Sequence, residues 1–255
     1  MGATALCAAA QKPAEKSAPP VDGFVARWYH SATGETMPYR LFVPADYLAA
    51  KNYPVILWLH GAAGRGSDNL QQISGGNFLG THVWTTPENQ AKYHAFVIAP
   101  QCDATKAWAR PHAEGPALSI RLALEILDAI EKEYSIDRNR EYVAGQSMGG
   151  EGAWAAIAAR PGRFAAAVPL CGYGFENMIV SGARTPVWIW QGDKDEIVAV
   201  EGARQWVAAC AKQEARRNIQ KFQAGATTCG EKRLPTRILF LGCFPSKEEI
   251  RPSNL

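Results

Sequence analysis

Long apolar runs are missing from this 255-residue chain: none reaches the roughly 20 residues that a membrane-spanning helix needs. Neither sign of charge dominates. Against 27 Lys and Arg stand 24 Asp and Glu, for a net charge of +3. The cations are scattered up to residue 210, so no basic patch marks a nucleic-acid or anionic-membrane partner. Cysteine is sparse and unpatterned. Cys7, Cys102, Cys171, Cys210, Cys229 and Cys243 form no Cys-x-x-Cys pair and no metal spacing, so no metal site and no cofactor is implied. Cys102 and Cys171 each follow an apolar run and read as small core residues at strand ends. The count leaves disulfide pairing and compartment open. The scarcity with the largest consequence is histidine. There are 5, His30, His60, His82, His94 and His112, and all precede residue 147.

What is present suffices for one α/β domain, since the length and the 47% hydrophobic content supply an ample core. Gly23 to His30 and Met37 to Val43 are aromatic- and β-rich with turn residues between them, which predicts a hairpin. Pro54 to Leu59 is a continuous apolar run, the mark of a strand buried on both faces. Ala95 to Pro100, Phe164 to Leu170 and Thr185 to Trp190 predict further strands. Pro116 to Tyr134 carries a helical apolar face, Asp137-Arg138-Asn139 predicts a turn, and Glu201 to Lys212 predicts another helix. Alternating strands and helices give a doubly wound, mostly parallel sheet whose active groups gather at the carboxyl ends of the strands.

The stretch from Glu141 to Trp154 organises the chain. A short apolar run leads into Gly145-Gln146-Ser147-Met148-Gly149, and an Ala-rich helical pattern follows. Strand, sharp turn and helix is the setting in which Gly-x-Ser-x-Gly forms a nucleophile elbow, with Ser147 as the nucleophile. A serine hydroxyl needs a base, an orienting carboxylate and donors for the developing oxyanion. One donor is the N–H of Met148, next after the serine. The other is placed on the Gly-rich loop after the Leu59 strand, at the N–H of Ala62. For the carboxylate, Asp193 and Asp195 both follow the Trp190 strand, and Asp195-Glu196-Ile197-Val198 has the stronger pattern.

From about Tyr39 to Lys212 the chain resembles the secreted serine-esterase branch of the α/β-hydrolases, which holds feruloyl and acetyl-xylan esterase-like enzymes, polyhydroxybutyrate depolymerase-like enzymes and predicted peptidases. The resemblance is carried by His60-Gly61-Ala62-Ala63-Gly64-Arg65-Gly66-Ser67-Asp68-Asn69, Ala99-Pro100-Gln101-Cys102, Gly145-Gln146-Ser147-Met148-Gly149-Gly150 and Gly192-Asp193-Lys194-Asp195-Glu196-Ile197-Val198. It implies an α/β-hydrolase fold with Ser147 as nucleophile, Asp195 as triad acid, and Met148 and Ala62 as oxyanion donors. It also implies that His60 fixes the oxyanion loop, that Trp108 lines an acyl or aromatic pocket, and that Gln146 contacts substrate.

In this fold the triad runs serine, acid, histidine along the chain, and no histidine follows Asp195. The tail departs as well. After Lys212 a last strand, a histidine loop and a closing helix are expected, but residues 215–255 lack amphipathic order. Back-translation with third bases left free permits Pro-Gly-Gly-Arg-Asp-His-Met-Trp across Phe222 to Gly230, so the tail is read as off-frame from about residue 214. At the other end, Ala8-Ala9-Ala10 before Gln11 suits a signal-peptidase site. Residues 1–20 are accordingly read as a signal remnant and linker, residues 21–214 as the hydrolase domain, and the protein as secreted or periplasmic. The leading functional reading is a serine carboxylesterase acting on short-chain or aromatic, feruloyl- or acetyl-type esters, weakened by the missing histidine. Its rivals are a non-catalytic protein of the same fold that binds an ester or glycan, and a serine peptidase. Oligomeric state is left open.

Overall fold

The computed structural model describes residues 19–110, 115–175, 178, 185–192, 194–214 and 239–243. The signal-like residues 1–18, His112, Asp193 and most of the tail lie outside the described residues.

Eight strands form one sheet: β1 (Phe24–His30), β2 (Thr36–Phe42), β3 (Tyr53–Leu59), β4 (Phe96–Pro100), β5 (Ile136–Gln146), β6 (Ala166–Leu170), β7 (Val187–Gln191) and β8 (Leu239–Cys243). Their order across the sheet is β1-β2-β4-β3-β5-β6-β7-β8. The first two make the expected antiparallel hairpin, with Trp28 opposite Pro38. From β4 through β3, β5 and β6 to β7 every pairing is parallel. Among the described residues, five α-helices connect or flank the strands: α1 (Phe78–His82), α2 (Pro87–Tyr93), α3 (Leu118–Glu133), α4 (Met148–Ala159) and α5 (Val200–Glu214).

Parallel pairing forces crossovers, and the crossover helices cover the sheet so that its central strands are buried on both faces. The period of two shows which face each residue serves. Leu57, Leu59, Phe96, Ile98 and Val143 join a core with Ile120, Leu127 and Ile130 of α3, Trp154 and Ile157 of α4, and Trp206 of α5. Trp58, Val97, Ala99 and Ala144 point the other way, into a smaller core closed by Ile73 and Trp84. The continuous apolar run of β3 thus feeds two cores, which is the physical meaning of its lack of alternation.

Two details differ from the sequence-based expectations. The predicted turn at Asp137-Arg138-Asn139 lies within β5, not before it. Tyr53 pairs with Ile136 and Val55 with Glu141, so the intervening β5 residues loop out of register. The Asp137 carboxylate tethers that excursion by accepting from Asn139 N–H at 2.9 Å and Arg140 Nε at 2.7 Å. The second detail is β8, which runs antiparallel to β7, with Leu239 opposite Gln191 and Cys243 opposite Val187. Its carboxyl end therefore lies at the sheet edge opposite the carboxyl ends of β3 to β7.

Candidate active site

β5 leaves the sheet between β3 and β6, with Gly145 beside Leu59 and Gln146 beside Leu170. The next residue, Ser147, has φ 54° and ψ −122°. A positive φ on a residue with a Cβ costs about 1–3 kcal/mol and persists only where the surroundings dictate it. Here they do. Ser147 N–H donates to Leu170 O at 2.8 Å, and Ser147 O accepts from Glu151 N–H at 3.1 Å. The turn has no room for side chains on its flanks: a Cβ at Gly149 would sit 1.9 Å from Leu59 O, and one at Gly145 would sit 2.3 Å from Gly149 O. That contact is why both positions carry glycine. α4 starts at Met148, so the Met148 N–H is among the helix-opening donors that have no intrahelical acceptor. No hydrogen bond within the described residues reaches Ser147 Oγ.

The loop after β3 is locked from beneath. His60 is fully buried. Its Nδ1 lies 2.6 Å from Gly61 O, and its Nε2 accepts from Cys102 N–H at 2.9 Å. These partners require the neutral tautomer with the proton on Nδ1. Burial pushes the ring's pKa down to about 4, which keeps it neutral. His60 is therefore a brace for the loop. Gly61 N–H donates to Asn77 Oδ1 at 2.9 Å, while Gln101 accepts from Asn69 N–H at 2.7 Å and donates to Gly64 O at 3.2 Å. The result is a short 3₁₀ turn, Ala62–Gly64, whose first residue is exposed. Among the described residues the Ala62 N–H has no acceptor.

Trp108 requires a correction. It is fully buried, and its Nε1–H donates to His60 O at 3.0 Å while its ring meets the His60 ring edge-on at 5.0 Å. A side chain sealed beneath the loop cannot line a substrate pocket; it holds the loop in place. Gln146, expected to contact substrate, spends its amide on Gly76 O at 2.9 Å and so ties the elbow to the 75–77 turn.

On the other side of the serine, β7 ends at Gln191, two strands from β5, or about 10 Å at the usual strand spacing. Asp195 is partly buried in the loop that follows. Its Oδ1 accepts from the N–H groups of Ile197 at 3.0 Å and Val198 at 2.9 Å, and its Oδ2 accepts from Gln191 Nε2 at 3.1 Å. These donors fix the orientation of the carboxyl group.

A base is another matter. His30 is on the edge strand β1, and His94 ends α2 in the left-handed conformation. His82 stacks on Phe78 at 3.8 Å and faces Asp22 at 3.2 Å. None of the described histidines is bonded to Ser147 or Asp195. Sequence reasoning also passed over Asn77, which nothing in its Gly-Gly-Asn surroundings marks, and Glu151. The signal for Glu151 was present: it is the one charged residue of a helix otherwise built from small and apolar residues. Among the described residues no cluster of three or more His, Cys, Asp or Glu is placed to hold a metal, and no helix is long and apolar enough to cross a membrane.

The chain is similar to known esterases in sequence and fold. A solved structure described as a thermostable esterase is 36% identical, with a TM-score of 0.70 over 75% of this chain and 52% of its own. A "Probable feruloyl esterase C" from Aspergillus terreus is 30% identical over 134 residues, 52% of this chain and 46% of that protein. The chain thus spans about half the length of these relatives. A CE1 ferulic acid esterase from Anaeromyces mucronatus, solved with ferulic acid, shares the fold at 15% identity, with a TM-score of 0.54 over 80% of this chain and 83% of its own. The family model described as "Putative esterase" matches residues 30–239. An elbow serine, a braced loop beside it and a family match over most of its length together establish that this chain, an α/β-hydrolase in fold, belongs to the Esterase family.

Proposed function

We propose that the chain is a serine carboxylester hydrolase. Ser147 Oγ attacks an ester carbonyl, the amides of Met148 and Ala62 receive the oxyanion, and water later releases the acyl group from the serine. Asp195, held in the loop after β7 by three hydrogen bonds, is the proposed orienting acid. The observation that carries this reading is the backbone of Ser147, held at φ 54° between a strand end and a helix start. Strain of this kind is retained where it positions a group for chemistry. Donors already aimed at the developing charge cost no reorganisation during the reaction. Short-chain or aromatic acyl esters are the proposed substrates, supported by the feruloyl esterase relative and by fold-level analogy.

A second reading, a protein that binds such an ester without turning it over, draws on one observation: no hydrogen bond among the described residues reaches the Ser147 hydroxyl. Stopped-flow release of p-nitrophenolate from p-nitrophenyl acetate separates the two. The hydrolase reading expects a burst, a matching acetyl adduct on Ser147 by mass spectrometry, and loss of both in S147A. Ligand binding without any adduct would replace it with the second reading.

A further inference from the structure

Glu151 is unlike the other acids of the site. Asp195 and Asp68 each accept several hydrogen bonds, whereas the Glu151 carboxyl has no hydrogen bond and no ion pair among the described residues. Yet it is partly buried, in the first turn of α4 and four residues after the serine. Its own N–H donates to Ser147 O at 3.1 Å. Helical Cα–Cβ bonds tilt toward the N-terminus, so the Glu151 side chain lies over the turn that begins at Ser147. Ser147 is the N-cap, outside the helix at φ 54°, and its side chain makes no direct hydrogen bond to Glu151, so a proton passing between them needs a closer approach in the reacting complex or one bridging water. The loop after β6 closes the far side: a Cβ at Gly172 would meet Ser147 O at 2.5 Å and Glu151 N at 2.7 Å.

Burial alone raises its pKa to about 7, where a carboxyl both takes and gives a proton at neutral pH. The elements packed on α4 are β3, β5, β6, α3, α5 through the Trp206–Trp154 stack, and the loop after β4 through Trp108 beside Gly152, a loop that carries Asp103, Lys106 and Arg110. Their charged cluster of Arg163, Asp128, Glu131 and Glu141 lies at the opposite end of α4 and β5. Among the described residues of the loop after β6, Cys171 and Tyr173 carry titratable side chains.

We propose that the Glu151 carboxylate takes the Ser147 hydroxyl proton during acylation, directly or through one water. The inference rests on the ester-hydrolase reading above. As the Ser147 Oγ–carbon bond forms, the hydroxyl proton passes to Glu151 and the carbonyl electrons to the oxyanion. When the oxyanion collapses, the bond to the alcohol breaks, and the departing alkoxide takes the proton back from Glu151. Water then attacks the acyl-serine in the same manner, and Ser147 regains its proton.

The test is the acylation rate of Ser147 by p-nitrophenyl acetate as a function of pH in the full chain, for wild type, E151Q, E151A and H112Q. A wild-type rate that rises through one ionisation near neutrality is expected. E151Q should lower the plateau by about 100-fold and remove that ionisation, formate should restore rate to E151A, and H112Q should leave the profile unchanged. Acylation of E151Q at the wild-type rate and profile, or loss of the profile in H112Q alone, overturns the inference while leaving the hydrolase reading standing. Absence of any Ser147 adduct in wild type overturns both.

Discussion

The two halves of the site are held to very different degrees. The half built on β3 and β5 is fixed by backbone contact and buried hydrogen bonds: Gly145 and Gly149 admit no Cβ, and His60 is clamped between Gly61 and Cys102. The half beyond β7 offers a well-oriented acid at Asp195 but no described histidine next to it. The strand that follows, β8, directs its carboxyl end to the opposite sheet edge. On the proposed function, the difference teaches that groups for stabilising an oxyanion and groups for moving a proton are separable parts of one fold. In a serine hydrolase elsewhere, removing the base alone cost about 10⁶ in turnover, with about 10³–10⁴ over water left to the oxyanion hole and binding.

The largest expected effect strikes the fixed half. In G149A the new Cβ meets Leu59 O, and neither backbone can yield without opening the elbow. A loss of about 3 kcal/mol or more is expected in urea unfolding; a near-neutral result would show the two halves to be equally soft.

His60 supplies the next test. Its folded pKa, near 4, lies below the unfolded value of 6.5. Between these values the unfolded chain binds the proton that the folded chain refuses, so stability is complete above about pH 6.5 and falls as the pH drops toward about 4. The group's share is about 3 kcal/mol. The stability of wild type relative to H60Q should fall by this amount from about pH 6.5 to about pH 4, and a pH-independent difference would show that His60 is no brace.

Smaller again is W108F, which deletes the donor to His60 O. A cost of about 2 kcal/mol in stability with unchanged preference among acyl groups is expected. A changed preference in competitive ester assays would return Trp108 to the pocket. The smallest effect belongs to D195N. Where an acid orients a triad histidine the same change costs about 10⁴. Here the burst rate should fall by less than about tenfold, and a drop of the larger size would reveal a histidine partner.

Much of this was legible in the sequence, and for identifiable reasons. The run from Pro54 to Leu59 could be read as a two-sided strand because burial on both faces leaves no polar residue in it. Gly145, Ser147 and Gly149 could be read together because a turn that tight admits few residue types. The stretch from Gln71 to Tyr93 was not legible: its short 3₁₀ and α segments carry no sustained period, and they are held by side-chain bonds such as Asn77 to Gly61. Trp108 was misplaced because an indole that lines a pocket and one that seals a loop look the same in one dimension.

By itself the chain of residues determined the alternation of strands and helices, the tight turn at Ser147 and the Gly-rich loop after β3, since local backbone sterics and hydrophobic period encode these directly. Only the tertiary structure decided that His60 stays neutral as a brace, that Trp108 is sealed away, that β8 runs against β7, and that Glu151 has no hydrogen-bond or ion-pair partner among the described residues. Each of those depends on which groups distant in the chain exclude water from one another, and no local pattern carries that information.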